Sequence, residues 1–198
     1  MRIYLDSNVL LKLMRKKDPQ LRQHVEQLFE KARSRACECI TSNFTVMEML
    51  NDEQKKQFFK VEIHKGNIDI GALYSQRGQR KLSAVSLSRV NTRVREWLQS
   101  IEYAIKIVDP KEDVYSIALP IASFSNVFAP DCMHLANALL LGAELILTED
   151  QHFYDCVQVQ LASRTRLRKA VAKALLQATG SAQLDIKAVK ASEVNQYV

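Results

Sequence analysis

The chain has 198 residues, 47% hydrophobic and 25% charged, a balance that supports a folded core without staples and excludes low-complexity and fibrous classes. Its formal net charge of +6 and sequence pI of about 9.2 admit a polyanionic partner without requiring one. The four cysteines lie in apolar or mixed surroundings, and the apolar run after Arg2 meets Asp6 too soon for a signal peptide, so a reduced, cytoplasmic protein is expected.

The chain opens with Met1 to Leu11, a short apolar run that delivers Asp6 into a Ser7-Asn8 break. Such a run predicts a strand buried on both faces, as in a parallel sheet. Open α/β sheets place their chemistry just beyond the carboxyl ends of the strands, where Asp6 falls. Capping of the following helix by Asp6, Ser7 and Asn8 is the alternative at this point. Val9 to Met14 predicts a short helix, broken by Lys16-Lys17-Asp18-Pro19. Leu21, Val25, Leu28 and Phe29 recur at helical spacing, which predicts a second, amphipathic helix. Cys37 to Thr41 is a second strand, and Ser42-Asn43 caps a helix over Phe44 to Leu50. At about 100° per residue, Val46, Met49 and Leu50 of that helix share a face, and Glu48 points about 200° away from Val46.

From about Glu53 to Lys106 the chain turns basic and polar, punctuated by Gly66, Gly71 and Gly78, with an exposed loop expected at Gln76 to Lys81. These glycines make no phosphate-binding loop. A clear amphipathic helix follows, with Ser86 as cap and Leu87, Val90, Val94, Trp97, Leu98 and Ile101 on one face. Tyr103 to Val108 returns to a strand, and the next helix is expected to stop or kink at Pro120. Pro130 sets another helix start with Asp131 in its first turn, and Gly142 suits its end. Ala143 to Thr148 is a strand with Glu149 and Asp150 at its carboxyl end, so the opening arrangement of Asp6 recurs. The apolar run from Leu135 to Leu147 is too short and too interrupted to span a bilayer. Arg164 to Ala178 is a basic helix ended by Gly180, and Leu184 to Ala188 a last short strand whose pairing the sequence leaves open.

Asp6, Glu48, Asp131 and Asp150 each have a bland explanation alone. Carboxylates converging on one sheet edge raise one another's pKa unless a cation sits between them, so such a group is tolerated mainly as a metal site. All-oxygen ligation favours Mg²⁺ or Mn²⁺, ions suited to in-line attack of an activated water on a phosphodiester.

The runs Tyr4 to Leu10, Thr45 to Leu50, Pro130 to Ala138 and Leu147 to Phe153 resemble the PIN-domain family, in their order as well as in kind, and within it the VapC-like toxin ribonucleases. The resemblance covers roughly residues 1 to 53 and 107 to 159. It implies an α/β fold, a three-layer α/β/α sandwich around a central parallel sheet, and a Mg²⁺- or Mn²⁺-dependent ribonuclease. On its pattern Asp6, Glu48, Asp131 and Asp150 form the metal-binding quartet, with Asn8 and Thr148 supporting it. Asp6 and Asp131 would be direct ligands, and Glu48 and Asp150 would act through waters. The family also implies homodimers and, in its toxin branch, a cognate antitoxin. The expected organisation is a nuclease domain over 1–159, interrupted by a largely helical insertion at about 54–106, and a basic extension over 160–198. These additions depart from the usual compact toxin. Glu149 competes with Asp150 for the last acidic place, and Asp150 sets Phe153 at the family's spacing.

Charge is divided along the same lines. Residues 1–53 with 107–159 carry 10 Lys+Arg against 16 Asp+Glu, a balance of −6. Residues 54–106 carry 11 against 4, hence +7, and residues 160–198 carry 7 against 2, hence +5. An acidic core that holds cations, with basic additions that grip RNA backbone, follows from this division. Arg164, Arg168 and Lys173 are the candidate contacts in the tail. The rival reading is a PIN-like module that binds RNA or protein without cutting; a phosphatase would want a second Asp that Asp6-Ser7-Asn8 lacks. Cys37, Cys39, Cys132 and His134 match no standard zinc spacing. His134 is expected in the core or behind the ligands, and His152 near the site.

Overall fold

The computed structural model describes residues 1–198 except 67–68, 76–77, 79–80, 110–111 and 163–164, together with the side chain of Ile70. The described residues form two compact units, one of Met1–Thr45 with Tyr103–Val198 and the other of Val46–Glu102.

Parallel strands organise the first unit. They are β1 (Arg2–Leu5), β2 (Glu38–Ser42), β3 (Ile105–Val108), β4 (Leu145–Leu147) and β5 (Lys187–Val189), in the order β3-β2-β1-β4-β5. In β1, Ile3 sits opposite both Cys39 and Leu145, and Tyr4 opposite both Ile40 and Ile146. This is the α/β/α arrangement the sequence predicts. The opening apolar run is buried because β1 is the middle strand, with neighbours on both sides and helices on both faces.

Side chains alternate across the sheet. Tyr4, Ile40, Ile146 and Ala188 lie in one large core with buried residues of α6 (Val114–Phe124), α7 (Ala129–Leu140) and α9 (Arg166–Thr179). Ile3, Leu5, Cys39 and Leu145 face the other way, and buried residues of α1 (Ser7–Arg15) and α2 (Pro19–Arg33) belong to that side. Asp18 caps α2 by accepting from the Leu21 N–H at 3.0 Å, so the Asp18-Pro19 break both ends one helix and starts the next.

Helix α6 runs through Pro120 to Phe124, so of the expected stop or kink the stop does not occur. Ile117, Ala118 and Ile121 are buried on either side of the proline, and their packing offsets the lost backbone bond. Arg168 lies in the expected basic helix, α9, which Thr165 caps, and Leu167, Val171 and Leu175 of that helix are core residues. The last strand is β5, which pairs in parallel with β4 through Leu145–Lys187 and Leu147–Val189. Between α8 (Gln151–Asp155) and α9, Cys156–Leu161 forms a π-helical turn whose Gln158 side chain donates to the Ala188 carbonyl at 2.6 Å. The chain ends with α10 (Ala191–Val194), from which Asn195 donates to the His24 carbonyl of α2.

The second unit takes up most of α3 (Asn43–His64) and all of α4 (Ile70–Ser75) and α5 (Ala84–Ser100). Helix α5 begins earlier than expected. Ser83, not Ser86, caps it, accepting from the Ser86 N–H at 3.2 Å. Phe58, Leu73, Val90 and Val94 are buried in this unit, and the rings of Phe59 and Tyr74 stack at 6.3 Å. Glu53 is buried and pairs with Arg93 at 3.1 Å and Lys56 at 3.6 Å. The expected exposed loop at 76–81 lies largely outside the described residues.

Candidate metal centre

All the strands run the same way, so Leu5, Ser42, Val108, Leu147 and Val189 end on one edge. The connections from β1 leave toward β2 on one side, and β4 lies on the other, so the crevice of the switch point opens between β1 and β4. Asp6 and Thr148 are the first residues beyond those two strands. The Asp6 N–H still donates to the Leu147 carbonyl, at 3.1 Å, which ties the two strand ends together.

The Asp6 carboxylate is 1% exposed. It occupies the N-cap position of α1 but makes no side-chain cap bond, so the capping explanation does not hold for its side chain. Ser7 and Asn8 donate to it instead, at 3.4 and 2.6 Å. Oδ2 accepts from both Asn8 Nδ2 and Thr148 Oγ1, the latter at 2.8 Å, which occupies its in-plane lone pairs. Oδ1 faces His134 Nε2 at 3.3 Å and the weakly held Ser7 hydroxyl. Oδ1 is therefore the atom with capacity for a cation.

His134 and Tyr4 complete the arrangement. His134 is fully buried on α7, one turn after Asp131, and its Nδ1 lies 3.0 Å from the Tyr4 hydroxyl. That hydroxyl also meets Ser42 Oγ at 2.8 Å and Thr45 Oγ1 at 3.2 Å. Phe44 packs edge-on against the imidazole, with ring centroids 5.2 Å apart. The expectation of a histidine in the core or behind the ligands agrees with both its burial and its contact with Asp6. Tyr4, Ser42 and Thr45 are site residues that the sequence pattern alone does not single out. Two signals reach Tyr4 and His134 but not Ser42 or Thr45: alternation sets Tyr4 and Asp6 on one side of β1, and helical spacing sets Asp131 and His134 on one side of α7.

Of the expected quartet, Asp6, Asp131 and Asp150 lie in the sheet unit, whereas Glu48 lies on α3 in the second unit. The close pair within the sheet unit is Asp6 Oδ1 with His134 Nε2, 3.3 Å apart. Asp131 and Asp150 are placed differently. Asp131 is half-buried in the first turn of α7. Asp150 caps α8, its Oδ1 accepting from the Phe153 N–H at 2.9 Å, and its own N–H donates to Thr148 Oγ1 at 3.1 Å. Thr148 therefore links Asp150 to Asp6. Glu149 is committed elsewhere: Oε1 accepts from the Ala191 N–H at 3.0 Å, and Oε2 lies 3.8 Å from Lys12 Nζ.

The donor set fits a divalent cation. Octahedral ions with bonds of about 2.1 Å hold neighbouring ligand atoms about 3 Å apart, and Nε2 and Oδ1 already approach that separation. A carboxylate beside an imidazole suits Mn²⁺, with the carboxylate oxygen also open to Mg²⁺.

A parallel sheet with acids gathered at the switch point defines a class of α/β protein, and the family follows from it. Residues 3–157 match the PIN domain, and the chain belongs to that family. PIN domains typically bind divalent metal ions and are generally metal-dependent nucleases. A comparison with curated proteins found no match. No helix among the described residues is long and apolar enough to cross a membrane.

Of the tail residues expected to contact nucleic acid, Arg164 lies outside the described residues. Arg168 turns Nη1 inward to the Leu161 carbonyl at 2.9 Å and the Leu184 carbonyl at 3.5 Å. Lys173 is exposed, and so is His152.

Proposed function

We propose that the chain is a divalent-metal-dependent endoribonuclease that hydrolyses RNA phosphodiester bonds. The observation that carries this reading is the buried Asp6 carboxylate, fixed by Asn8 and Thr148 at the switch point, with His134 Nε2 3.3 Å from its Oδ1. Asp6 and Asp131 would hold the cation directly, with Glu48 and Asp150 acting through waters or orienting the attacking one. A bound divalent ion would lower the pKa of a water and offset charge on the phosphate. Asn8 and Thr148 keep Asp6 in one rotamer, so the carboxylate is organised before anything binds.

Basic residues in the second unit supply the RNA contacts in this reading. A cleft of about 80 Å³ is lined by Lys56, Lys60, Arg89 and Arg93 around the buried Glu53. One carboxylate does not neutralise four cations, so the surplus is available to backbone phosphates. Lys173 on α9 adds a further exposed cation.

Cleavage of a mixed single-stranded RNA with Mn²⁺ or Mg²⁺, using EDTA and Asp6→Asn as controls, tests the reading. Loss of cleavage in both controls is expected. RNA binding without cleavage under every condition would favour the non-catalytic module instead. The narrower form, a cytoplasmic homodimeric toxin held by an antitoxin, predicts growth arrest on expression that Asp6→Asn relieves.

A further inference from the structure

We propose that His134 is a nitrogen ligand of the divalent cation, and that Tyr4, Ser42 and Thr45 form a hydroxyl relay which reverses direction when the cation binds. The proposal rests on the metal-centre reading and deepens it.

Proton accounting supplies the argument. Without a cation, the Asp6 carboxylate can only accept, so the imidazole nitrogen 3.3 Å from it, Nε2, carries the hydrogen. In the neutral ring Nδ1 then accepts, and its partner at 3.0 Å is the Tyr4 hydroxyl, which must donate. Tyr4 has one hydrogen, so toward Ser42 and Thr45 it can only accept, and both have hydroxyl hydrogens to give. The direction is Ser42 and Thr45 to Tyr4, to His134, to Asp6.

To hold a cation beside Asp6, Nε2 would have to offer its lone pair. The neutral imidazole would then carry its hydrogen on Nδ1 instead, with no net gain or loss of protons. Nδ1–H then donates to the Tyr4 oxygen, and the Tyr4 hydrogen turns to Ser42 or Thr45. Every group keeps a partner in both directions. Histidine ligands generally donate their second N–H to an oxygen behind them, and here that oxygen is the fully buried Tyr4 hydroxyl. An ordinary core histidine needs one acceptor; this one faces a carboxylate on one side and a reversible hydroxyl on the other. A nitrogen in the donor set raises affinity for Mn²⁺ relative to Mg²⁺, which prefers oxygen.

Pulsed electron paramagnetic resonance of Mn²⁺ bound to the full chain reads the ligand directly, whether or not RNA is cut. Nitrogen coupling is expected in the wild type and absent in His134→Gln, whose preference for Mn²⁺ over Mg²⁺ falls roughly tenfold or more. Tyr4→Phe keeps the coupling but binds Mn²⁺ roughly tenfold more weakly. With Zn²⁺ as a diamagnetic probe, long-range proton–nitrogen correlation should show the His134 hydrogen moving from Nε2 to Nδ1. Bound Mn²⁺ without nitrogen coupling in the wild type overturns the proposal, as does failure to bind Mn²⁺; if His134→Gln does not fold, the wild-type spectrum decides alone. Cation-dependent cleavage without nitrogen coupling removes His134 and leaves the nuclease reading. Coupling without cleavage does the reverse.

Discussion

Thr148 Oγ1 donates to Asp6 Oδ2 at 2.8 Å and accepts from the Asp150 N–H at 3.1 Å, so one hydroxyl sets both acids that follow β1 and β4. Valine at 148 keeps the shape and removes both bonds. Thr148→Val should weaken Mn²⁺ binding and RNA cleavage by about 10- to 100-fold, while Thr148→Ser restores most of both. Calorimetric titration with Mn²⁺, beside a thermal melt, separates this from unfolding.

Glu149 and Asp150 are adjacent but do different work. Glu149 meets Ala191 and Lys12, whereas Asp150 caps α8 and connects through Thr148 to Asp6. Asparagine still caps a helix, so Asp150→Asn should leave the melting temperature almost unchanged and lower cleavage at least tenfold. Glu149→Gln should change cleavage less than threefold and cost about 0.5 kcal/mol of stability. Equal losses of activity in the two variants would count against Asp150 as the fourth acid.

The strand end at Asp6 and the helix that carries Glu48 were legible because burial and helical phase are local properties. An apolar run ending in Asp predicts a strand end, and 100° per residue turns Glu48 off the apolar stripe. The Tyr4–His134–Asp6 chain was not legible, since it depends on how deeply α7 lies against β1, which no periodicity encodes. Strand β5 is three residues long, too short for alternation to reveal its partner. Helix α3 runs 22 residues because Met49, Glu53 and Phe58 are buried along it, although Lys55, Lys56 and Lys60 give the stretch a loop-like polarity.

If the cleft of the second unit holds RNA, its cations act through phosphate and not through sequence. Lys60→Glu with Arg89→Glu should weaken binding of unrelated RNAs alike and lower the slope of log affinity against log salt by roughly one for each phosphate left without its cation. Arg93 is left in place because it pairs with the buried Glu53. Nitrocellulose binding across a salt series checks this; unchanged slopes would place the grip elsewhere.

The cysteines differ in reactivity. A hydrogen bond with the Cys39 thiol, helped by the N-terminal ammonium and Lys31, outweighs burial and holds the Cys37 thiol below its ordinary value. Burial pushes Cys156 up to about 11. A lowered thiol pKa means more thiolate at a given pH, so native alkylation should modify Cys37 before Cys156, whose thiol is pushed up. Cys156 should react only after unfolding. Peptide mapping after a short iodoacetamide pulse at several pH values tests the order, and modification of Cys156 before Cys37 would refute it.

The family match ends at residue 157, but the fold of the sheet unit does not. Leu167, Val171 and Leu175 of α9 and Ala188 of β5 lie in the same core as Tyr4 and Ile146. Val189 accepts from the Thr148 N–H at 3.1 Å, and Gln158 reaches the Ala188 carbonyl, so β5 holds the backbone from which Thr148 and Asp150 project. A chain cut at 159 would expose β4 as a bare edge and remove several fully buried side chains, each worth about 1.5–3 kcal/mol. That loss approaches or exceeds the whole stability of an ordinary domain. The truncated chain should therefore show no cooperative thermal transition and should bind hydrophobic dye, whereas a chain cut at 194, which keeps β5 and α10, should melt cooperatively. A sharp melt for the shorter chain would mean that the residues after 159 are an appendage and not part of the core.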